Sequence, residues 1–559
     1  MGPLFKLLEA SFELFIPLVV AGIIDNGISN GDTPYIIKMC LVMVALGVIG
    51  LVCSLSAQFF SAKAAVGFAA KVRMALFGHI QKLSYSELDG VGTSTIITRM
   101  TADINQLQNG VNMTLRLFLR SPFIVFGAMI MAFTIDVKAA LIFAVVIPIL
   151  SIVIYGIMLI TIPLNRKSQA NLDTVLSDTR DNINGVRVIR AFGQEKREIE
   201  KFDRDNELLV RSQIVAGRIA GLTDPITFVI INFGIVFLMW SGALQVDSGV
   251  ITNGQLVALV NYMSQILVEL IKLANFIVLD IKALASASRL EALFKLESSM
   301  KDGKEKLSGD RHIEDIEFND VSLAYNGAGD KALSHISFKL RKGQTLGIIG
   351  GTGSGKSSLI NMIPRFYDAS EGSISIDGGN IRDYEVLSLR EHIGVVPQKA
   401  VLFKGSIRDN MKWGNKNASD ESIWNALKVA CADEFVSEKD GQLDFMLTQG
   451  GKNLSGGQRQ RLTIARAIVK HPDVLILDDS SSALDNLTDK RLRANLKDLG
   501  AMITIIVSQR ASSVMGADNI IVLDDGQIAG QGTHEQLMEK CDIYREIYDS
   551  QFDTEVAKV

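Results

Sequence analysis

Residues Gly350–Ser357 read GGTGSGKS, and they directly follow the apolar run Leu346–Ile349. Helix-forming residues come next in Ser358–Met362, so the stretch predicts a strand, a glycine-rich loop and a helix. An ordinary glycine-rich turn does not explain this context. Glycines let the loop backbone curl so that its N–H groups face phosphate oxygens, while a lysine neutralises phosphate charge and a serine hydroxyl reaches Mg²⁺. The motif predicts a phosphate-binding loop made by Gly350, Thr352, Gly353, Ser354, Gly355, Lys356, Ser357 and Ser358.

A second motif lies at Val474–Asp479 (VLILDD), where four apolar residues precede two acids. This pattern predicts a buried strand that delivers Asp478 at its carboxyl end, where parallel sheets collect ligands. An apolar run before an acid is common by itself. Together with the phosphate-binding loop it indicates that Asp478 is linked to Mg²⁺ in a nucleotide site.

Short apolar runs alternate with helix-like stretches from Ile313 onward, which favours an α/β fold with a largely parallel sheet. We predict strands at Ile316–Leu323, Thr345–Ile349, Ile393–Val396, Val474–Leu477, Ile503–Val507 and Ile520–Leu523. The charged stretch Glu297–Arg311 is typical of a linker. The predicted domains are therefore 1–295 (membrane), 296–312 (linker), 313–550 (α/β ATPase) and 551–559 (C-terminal tail).

The first half of the chain is apolar enough to cross a membrane. We predict six spans, each near the roughly 20 residues that a bilayer requires, at Pro3–Ile24, Ile36–Phe60, Leu115–Ile135, Ala139–Ile162, Ile226–Val246 and Leu256–Leu284. Buried helices of a soluble core are the alternative, but these are usually shorter and have a polar stripe. Lys6, Glu9 and Glu13 interrupt the first span, which argues against a cleaved signal peptide.

The overall composition agrees with a membrane protein. Of 559 residues, 21% are charged and 48% hydrophobic, and the mean hydropathy is +0.25. The formal net charge is −4, so no basic excess indicates a nucleic-acid partner. The cysteines are widely spaced and predict neither disulfides nor a metal site; they are Cys40, Cys53, Cys431 and Cys541.

Charge distribution predicts the orientation in the membrane, because lysine and arginine are retained on the cytoplasmic side. The second and fourth connections between spans, around residues 61–114 and 163–225, carry many cations. The turns at 26–33, 136–138 and 247–253 contain Lys138 as their single cation. Both termini and the ATPase domain are therefore expected in the cytosol, beneath the cell membrane.

The segment Leu454–Arg461 (LSGGQRQR) resembles the signature of the ATP-binding cassette family. A serine and two glycines that open a helix could simply cap it. Other matches support the resemblance: Tyr325 resembles the adenine-stacking aromatic, Gln398 resembles the Q-loop, and Ser482–Asp485 resembles the D-loop. Six spans followed by such a cassette look like an ABC exporter half-transporter, with ATP and Mg²⁺ as cofactors.

In that family two cassettes stack head to tail, so each ATP lies between the phosphate loop of one chain and the signature of the other. The resemblance therefore implies that Ser455, Gly456, Gly457 and Gln458 act in trans. It also implies Mg²⁺ contacts from Ser357, Gln398 and Asp478.

Two residues depart from the family pattern. Asp479 occupies the position of the catalytic glutamate, and Gln509 that of the switch histidine. A carboxylate shortened by one methylene withdraws by about 1 Å, which can reduce a rate roughly a hundredfold. Glutamine has no ionisable imidazole. Harmless drift is the alternative, but two losses at one site favour impaired hydrolysis. The pattern resembles the degenerate-site subunit of heterodimeric, multidrug-type ABC exporters, whose partner is a second half-transporter.

The transported molecule is the least defined part of the prediction. A cavity lined by Leu, Ile, Phe and Met suits amphipathic drugs, lipids or peptides. Polar residues within the spans are candidates to line it, although Glu269 and Lys272 can instead pair with each other; these candidates are Glu13, Asn232, Asn261, Gln265, Glu269 and Lys272. By resemblance, Glu87–Ile97 and Asn182–Phe192 are coupling segments, or else plain turns. An importer, or a non-transporting regulator or ATP-gated channel, remains an open alternative to an exporter.

Overall fold

The computed structural model describes residues 1–307, 312–325, 329–480, 483–500 and 502–556. The chain divides into two compact units. Residues 1–81 and 94–295 form the first, and residues 82–93 together with those from 296 onward form the second. The predicted fold class is confirmed, since long apolar helices make up the first unit and an α/β domain the second. The domain limits remain a prediction, and two findings differ from them: residues 82–93 pack with the second unit, and the last helix crosses residue 550.

Long helices build the first unit. In chain order the helices up to residue 294 are α1 Gly2–Gly22, α2 Thr33–Ile80, α3 Tyr85–Val91, α4 Thr93–Thr98, α5 Ile104–Leu117, α6 Arg120–Ile135, α7 Val137–Ala191, α8 Glu195–Gly221, α9 Thr223–Asp247 and α10 Asn253–Phe294. Of these, α3 belongs to the second unit. Short π-helical segments join α1 to the turn before α2, and α4 to α5.

Five stretches of the first unit are long and apolar enough to cross a membrane: Gly2–Ile28, Thr33–Ile80, Thr93–Ile135, Val137–Ala191 and Glu195–Asp247. The sixth predicted span lies within α10, which packs against α1, α5, α6 and α9. Side-chain caps start α2, α7 and α10, where an N-cap acceptor satisfies an otherwise unpaired N–H. Asp136 accepts from the Ala139 N–H at 2.7 Å, and Thr252 with Gln255 forms a capping box at α10.

The second unit contains a six-stranded sheet and a four-stranded sheet. Its strands are β1 Asp315–Leu323, β2 Leu333–Arg341, β3 Thr345–Gly350, β4 Glu371–Ile376, β5 Gly379–Asn380, β6 Ile393–Val396, β7 Gly405–Ser406, β8 Met446–Leu447, β9 Val474–Asp478, β10 Ile503–Val507, β11 Asn519–Asp524 and β12 Gln527–Gly532. The smaller sheet has the order β2-β1-β4-β5 and is antiparallel. The six predicted strands are all present.

Ten helices surround these sheets in the described residues: α11 Lys356–Met362, α12 Val386–Glu391, α13 Ile407–Lys412, α14 Asp420–Val429, α15 Asp433–Ser437, α16 Gly456–Ile468, α17 Asn486–Asp498, α18 Ala511–Val514, α19 His534–Lys540 and α20 Asp542–Val556. One apolar core lies between the two sheets, and another packs α13, α14 and α16 against the larger sheet.

The order of the larger sheet places the site. It runs β12-β11-β3-β10-β9-β6, with β3, β6, β9, β10 and β11 parallel. The carboxyl ends of parallel strands meet at one edge of a sheet, and that edge is where such folds bind ligands. The loops after β3, β6, β9 and β10 carry the phosphate-loop residues, Gln398, the acid pair and Gln509, so this topology brings them together.

Candidate functional site: a nucleotide-binding cavity

The loop between β3 and α11 has the backbone geometry that its glycines predict. Gly353 and Gly355 adopt φ of 87° and 93°, a region that side-chain-bearing residues rarely occupy. A Cβ at Gly355 would lie 2.7 Å from the Leu333 side chain and 2.8 Å from the Ala332 carbonyl. The loop conformation therefore requires glycine at this position.

Lys356 folds back over this loop. Its ammonium donates to the carbonyls of Gly350 at 2.9 Å and Gly351 at 2.5 Å, and to the Ser354 hydroxyl at 3.3 Å. Burial lowers the pKa of Lys356, while the carboxylates of Asp479 and Asp478 oppose the shift. A buried ammonium held by neutral carbonyls is well placed to exchange these partners for phosphate oxygens.

A cavity of about 390 Å³ opens above the loop. It brings together most of the residues predicted to bind nucleotide in cis, namely Tyr325, Thr352, Gly353, Gly355, Lys356, Ser357, Ser358, Gln398, Asp478, Asp479 and Gln509. Gly350 and Ser354 do not line the cavity; they accept hydrogen bonds from the Lys356 ammonium. Ala332, Val507 and Ser508 also line the cavity, and the sequence motifs did not single them out.

The two acids at the end of β9 face different partners. Ser357 donates to Asp478 Oδ2 at 3.4 Å, and burial raises the pKa of the Asp478 carboxyl. Asp479 donates its N–H to the Val507 carbonyl at 2.9 Å, and its φ is 44°. Gln398 Nε2 donates to Asp479 Oδ2 at 3.4 Å. The carboxylate of Asp479 is thus directed to the Q-loop side of the cavity.

The oxygen donors in this corner fit Mg²⁺, which prefers carboxylate and hydroxyl oxygens and keeps several waters. Ser357 and Asp478 lie within hydrogen-bond distance of each other, and Gln398 lines the same cavity. A buried carboxyl with a raised pKa is a group that a cation would stabilise in its ionised form.

The switch segment after β10 is held by a residue that sequence reasoning missed. Gln551, on α20, donates to the Gln509 carbonyl at 2.8 Å and accepts from the Ala511 N–H at 2.8 Å. It therefore fixes the backbone on both sides of Arg510. Nothing in the pattern around Gln551 signals this contact, because the residue falls in a segment predicted to be a tail.

Tyr325 lies at the side of the cavity, next to a second aromatic that was also missed. Its hydroxyl donates to Ser358 Oγ at 2.9 Å, and its ring meets Tyr367 edge-on at 5.1 Å. Tyr367 in turn donates to Asp89 Oδ2 at 2.5 Å and packs near Tyr85 at 6.2 Å. Aromatic contacts therefore connect the nucleotide cavity with α3.

The two predicted coupling segments have different structures. The first overlaps α3, where the Tyr85 ring also lies 4.7 Å from Phe366. The second, Asn182–Phe192, is the carboxyl-terminal end of α7 followed by its C-cap Phe192. Because α3 packs with the second unit, its assignment as a contact segment for the ATPase domain has structural support.

The signature residues do not line the cavity of their own chain. Ser455 caps α16: its hydroxyl accepts from the Gln458 N–H at 3.3 Å, and Gln458 Oε1 accepts from the Ser455 N–H at 3.0 Å. Ser455 and Gly456 are exposed. A Cβ at Gly457 would come 3.0 Å from the Ala483 carbonyl. Of the predicted D-loop, Ser482 lies outside the described residues, while Asp485 caps α17.

Two models of known protein families match this chain. Residues 1–270 match the model of the ABC transporter transmembrane region, and residues 333–482 match the model named ABC transporter. The chain is 34% identical to the ABC transporter ATP-binding protein YfiB of Bacillus subtilis over 552 residues, covering 99% of this chain and 96% of the relative. This chain belongs to the ABC transporter family.

Two further similarities refine the family assignment. This ABC transporter is 34% identical over 480 residues to an ATP-dependent lipid A-core flippase of Desulfotalea psychrophila, covering 86% of this chain and 84% of the relative. Its fold matches a bacterial Atm1-family ABC exporter with ATP bound, at a TM-score of 0.81 and 22% identity, over 99% of this chain and 97% of the other. The protein is a membrane-spanning transport ATPase with the exporter fold, and its cassette binds ATP.

Proposed function

We propose that this ABC transporter is one subunit of a heterodimeric, ATP-driven exporter of amphipathic drugs, lipids or peptides. Its own phosphate loop forms a site that holds MgATP but hydrolyses it slowly. Its signature, Ser455 to Gln458, completes the competent ATP site of a second half-transporter. We further propose that it lies in the cell membrane with the ATPase domain and both termini in the cytosol, since the cation-rich connections favour that orientation.

The observation that carries this proposal is the separation between the signature and the cavity. Serine and glycine N–H groups at the start of a helix suit an anion, yet Ser455 and Gly456 are exposed and absent from the wall formed around Lys356. A site that needs both elements requires a second chain. The signature is intact, so it can serve a partner's nucleotide.

The asymmetry of the proposed pair follows from the cis residues. Asp479 places its carboxylate one methylene short of a glutamate, and a general base must lie within about 3 Å of the water that it orients. Gln509 can donate to a phosphate oxygen but cannot carry the proton of an imidazole. The groups that bind nucleotide, including Lys356, Ser357 and Asp478, are all retained. Binding is therefore expected to persist while turnover falls.

The proposal is tested by measuring ATP binding and hydrolysis in lipid nanodiscs. The chain is purified alone, and also together with a half-transporter that has Glu and His at the positions equivalent to Asp479 and Gln509. Alone, it should bind ATP yet hydrolyse it about a hundredfold more slowly than the pair. In the pair, Ser455→Arg should abolish most turnover without weakening ATP binding at this chain's Lys356. The matched variant Lys356→Ala should remove that binding. Equal, brisk hydrolysis in both sites of a complex of two identical copies would refute the heterodimer.

A further inference from the structure

A cavity of about 470 Å³ opens between α1 and α10 of the membrane unit. The wall from α1 is mostly apolar, with Ile16, Pro17 and Val20, and carries Glu13 at one end. The wall from α10 is mostly polar, with Val268 as an apolar member. Five of the six residues predicted from the sequence line the cavity: Glu13, Asn261, Gln265, Glu269 and Lys272. The sixth, Asn232, is exposed and donates to the Phe228 carbonyl on its own helix. Separate polar and apolar walls fit an amphiphile.

The deep end of the polar wall is an ion network centred on Arg120, which sequence reasoning missed. Arg120 donates to Glu269 Oε1 at 2.7 Å and to Glu13 Oε2 at 2.7 Å. Ser121 donates to Glu269 Oε2 at 2.8 Å, and Lys272 to Glu269 Oε1 at 2.8 Å, so the predicted pairing of Glu269 with Lys272 is present. Arg120 is 7% and Glu269 2% exposed, so this ion pair is buried, and Arg120 Nε has no hydrogen-bond partner among the described residues.

The network has no net formal charge. Lys6, which donates to Glu9 at 2.6 Å, joins it because Glu9 also lies 3.9 Å from Arg120. Three cations, Lys6, Arg120 and Lys272, therefore balance three carboxylates, Glu9, Glu13 and Glu269. A ligand with net charge would add an uncompensated charge inside the membrane, which is unfavourable.

Two members of the network reach the cavity with unused hydrogen-bonding capacity and opposite charges. The Lys272 side chain is 43% exposed and, in the described part of the chain, donates one of its three N–H groups, to Glu269. The Glu13 side chain is 35% exposed and accepts from Arg120 alone among those residues. One edge of the cavity can therefore accept from a cation while another donates to an anion.

We propose that this cavity binds the head group of a zwitterionic amphiphile, with its primary ammonium at Glu13 and its acidic group at Lys272. The apolar wall takes the start of its hydrocarbon chain. A purely cationic head group leaves Lys272 without an anion, and a purely anionic one faces Glu13. The step from binding to transport rests on the proposed function, whereas the binding itself does not.

Four probes with the same dodecyl chain test the proposal on the full-length protein in phosphatidylglycerol nanodiscs: dodecylphosphoethanolamine, dodecylphosphocholine, dodecyl phosphate and dodecylammonium. Affinity is read by displacement of a fluorescent dodecylphosphoethanolamine. The phosphoethanolamine should bind about tenfold more tightly than dodecyl phosphate or dodecylammonium, because it makes both charged contacts; tenfold corresponds to about 1.4 kcal/mol. The phosphocholine, which has no N–H donor, should bind less tightly than the phosphoethanolamine.

Variants separate the two contacts. Glu13→Gln should weaken the two primary-ammonium probes, dodecylphosphoethanolamine and dodecylammonium, about tenfold and should not weaken dodecyl phosphate. Lys272→Gln should weaken the three phosphate-bearing probes about tenfold and leave dodecylammonium unchanged. The matched controls are Glu291→Gln and Lys295→Gln, an exposed ion pair outside the cavity, and these should change nothing. An unchanged gel-filtration profile and melting temperature of the full-length protein show that each variant is folded. Equal affinity for all four probes, or equal losses for every probe in a cavity variant, would overturn the proposal.

The binding assay needs neither a partner chain nor ATP hydrolysis. If the heterodimer proves wrong, the expected probe selectivity is unaffected. If the pair transports but the full-length chain shows no selectivity for the zwitterion, this inference fails and the proposed function stands.

Discussion

Restoration of the two divergent residues, Asp479→Glu with Gln509→His, should convert the slow ATP site of this chain into an active one. The backbone of Asp479 is anchored by its N–H bond to the Val507 carbonyl, 2.9 Å long. Because this anchor fixes the Cα, the added methylene of glutamate moves the carboxylate outward into the cavity by about 1 Å. The histidine adds an ionisable ring beside the phosphates.

The size of the effect follows from these distances. A misplacement of about 1 Å can reduce a rate roughly a hundredfold, which corresponds to about 2.7 kcal/mol of barrier. We therefore expect the double variant to hydrolyse ATP in this site about a hundredfold faster. The double variant should be less stable, because Asp479 has φ of 44° and aspartate tolerates this region better than glutamate does. A penalty of about 1 kcal/mol lowers the melting temperature by roughly 2–4 °C.

The assay is single-turnover phosphate release from the pair, with the partner's own site inactivated so that only this chain's site reports. Asp479→Asn serves as the control, since it keeps the side-chain length and removes the charge. Equal ATP affinity must be shown for all forms. An unchanged rate in a double variant that folds and binds ATP would refute the geometric reasoning.

Three further predictions concern Gln551 and Tyr367, which the structure singles out, and Asp478, which a motif predicted. Gln551→Ala should lower kcat several-fold at unchanged KM in the pair containing the restored site, because the Gln509 backbone loses its anchor; Gln551→Glu should recover only the bond from the Ala511 N–H. Asp478→Asn should raise the melting temperature of the nucleotide-free protein at pH 7 and weaken MgATP binding. The sign follows from the raised pKa of Asp478. The protonated carboxyl contributes its full stability below the ordinary carboxyl pKa, and this contribution is lost as pH rises through the pKa of the folded state. The melting temperature should therefore change less between pH 4 and pH 8 in the variant than in the wild type. Tyr367→Phe should reduce nucleotide-stimulated transport more than ATP binding, measured on the same vesicles, because it removes the bond to Asp89.

Much of the ATP site could be predicted because its chemistry is local in sequence. A glycine-rich loop of eight residues contains its own turn, lysine and hydroxyl, and an apolar strand delivers Asp478 to a fixed place. Parallel pairing of β3, β10 and β9 then brings the three loops to one edge. The pattern in each segment was therefore enough to predict the site, because the topology of the sheet brings the segments together.

The missed residues share a different property, which is that their partners are distant in the chain. Arg120 meets Glu13 and Glu269 across 107 and 149 positions, and Tyr367 meets Asp89 across 278. No periodicity or spacing encodes such contacts, because they depend on how whole helices pack. The sequence predicted polar residues in the spans, but the arginine that neutralises two of them lies at the first turn of α6.

The pattern of retained and altered residues argues that ATP in this site acts by being bound. The groups that hold a nucleotide are present, and Tyr325 connects the cavity through Tyr367 to Asp89 on α3. That connection requires no bond cleavage. A bound ligand shifts a conformational equilibrium only by its difference in affinity for the two states, so a slowly hydrolysed ATP can favour one state through many cycles of the partner's site. Impaired chemistry and intact mechanical contact would therefore be compatible in one chain, and under the proposed function the ATP that this chain binds serves the cycle by its residence time.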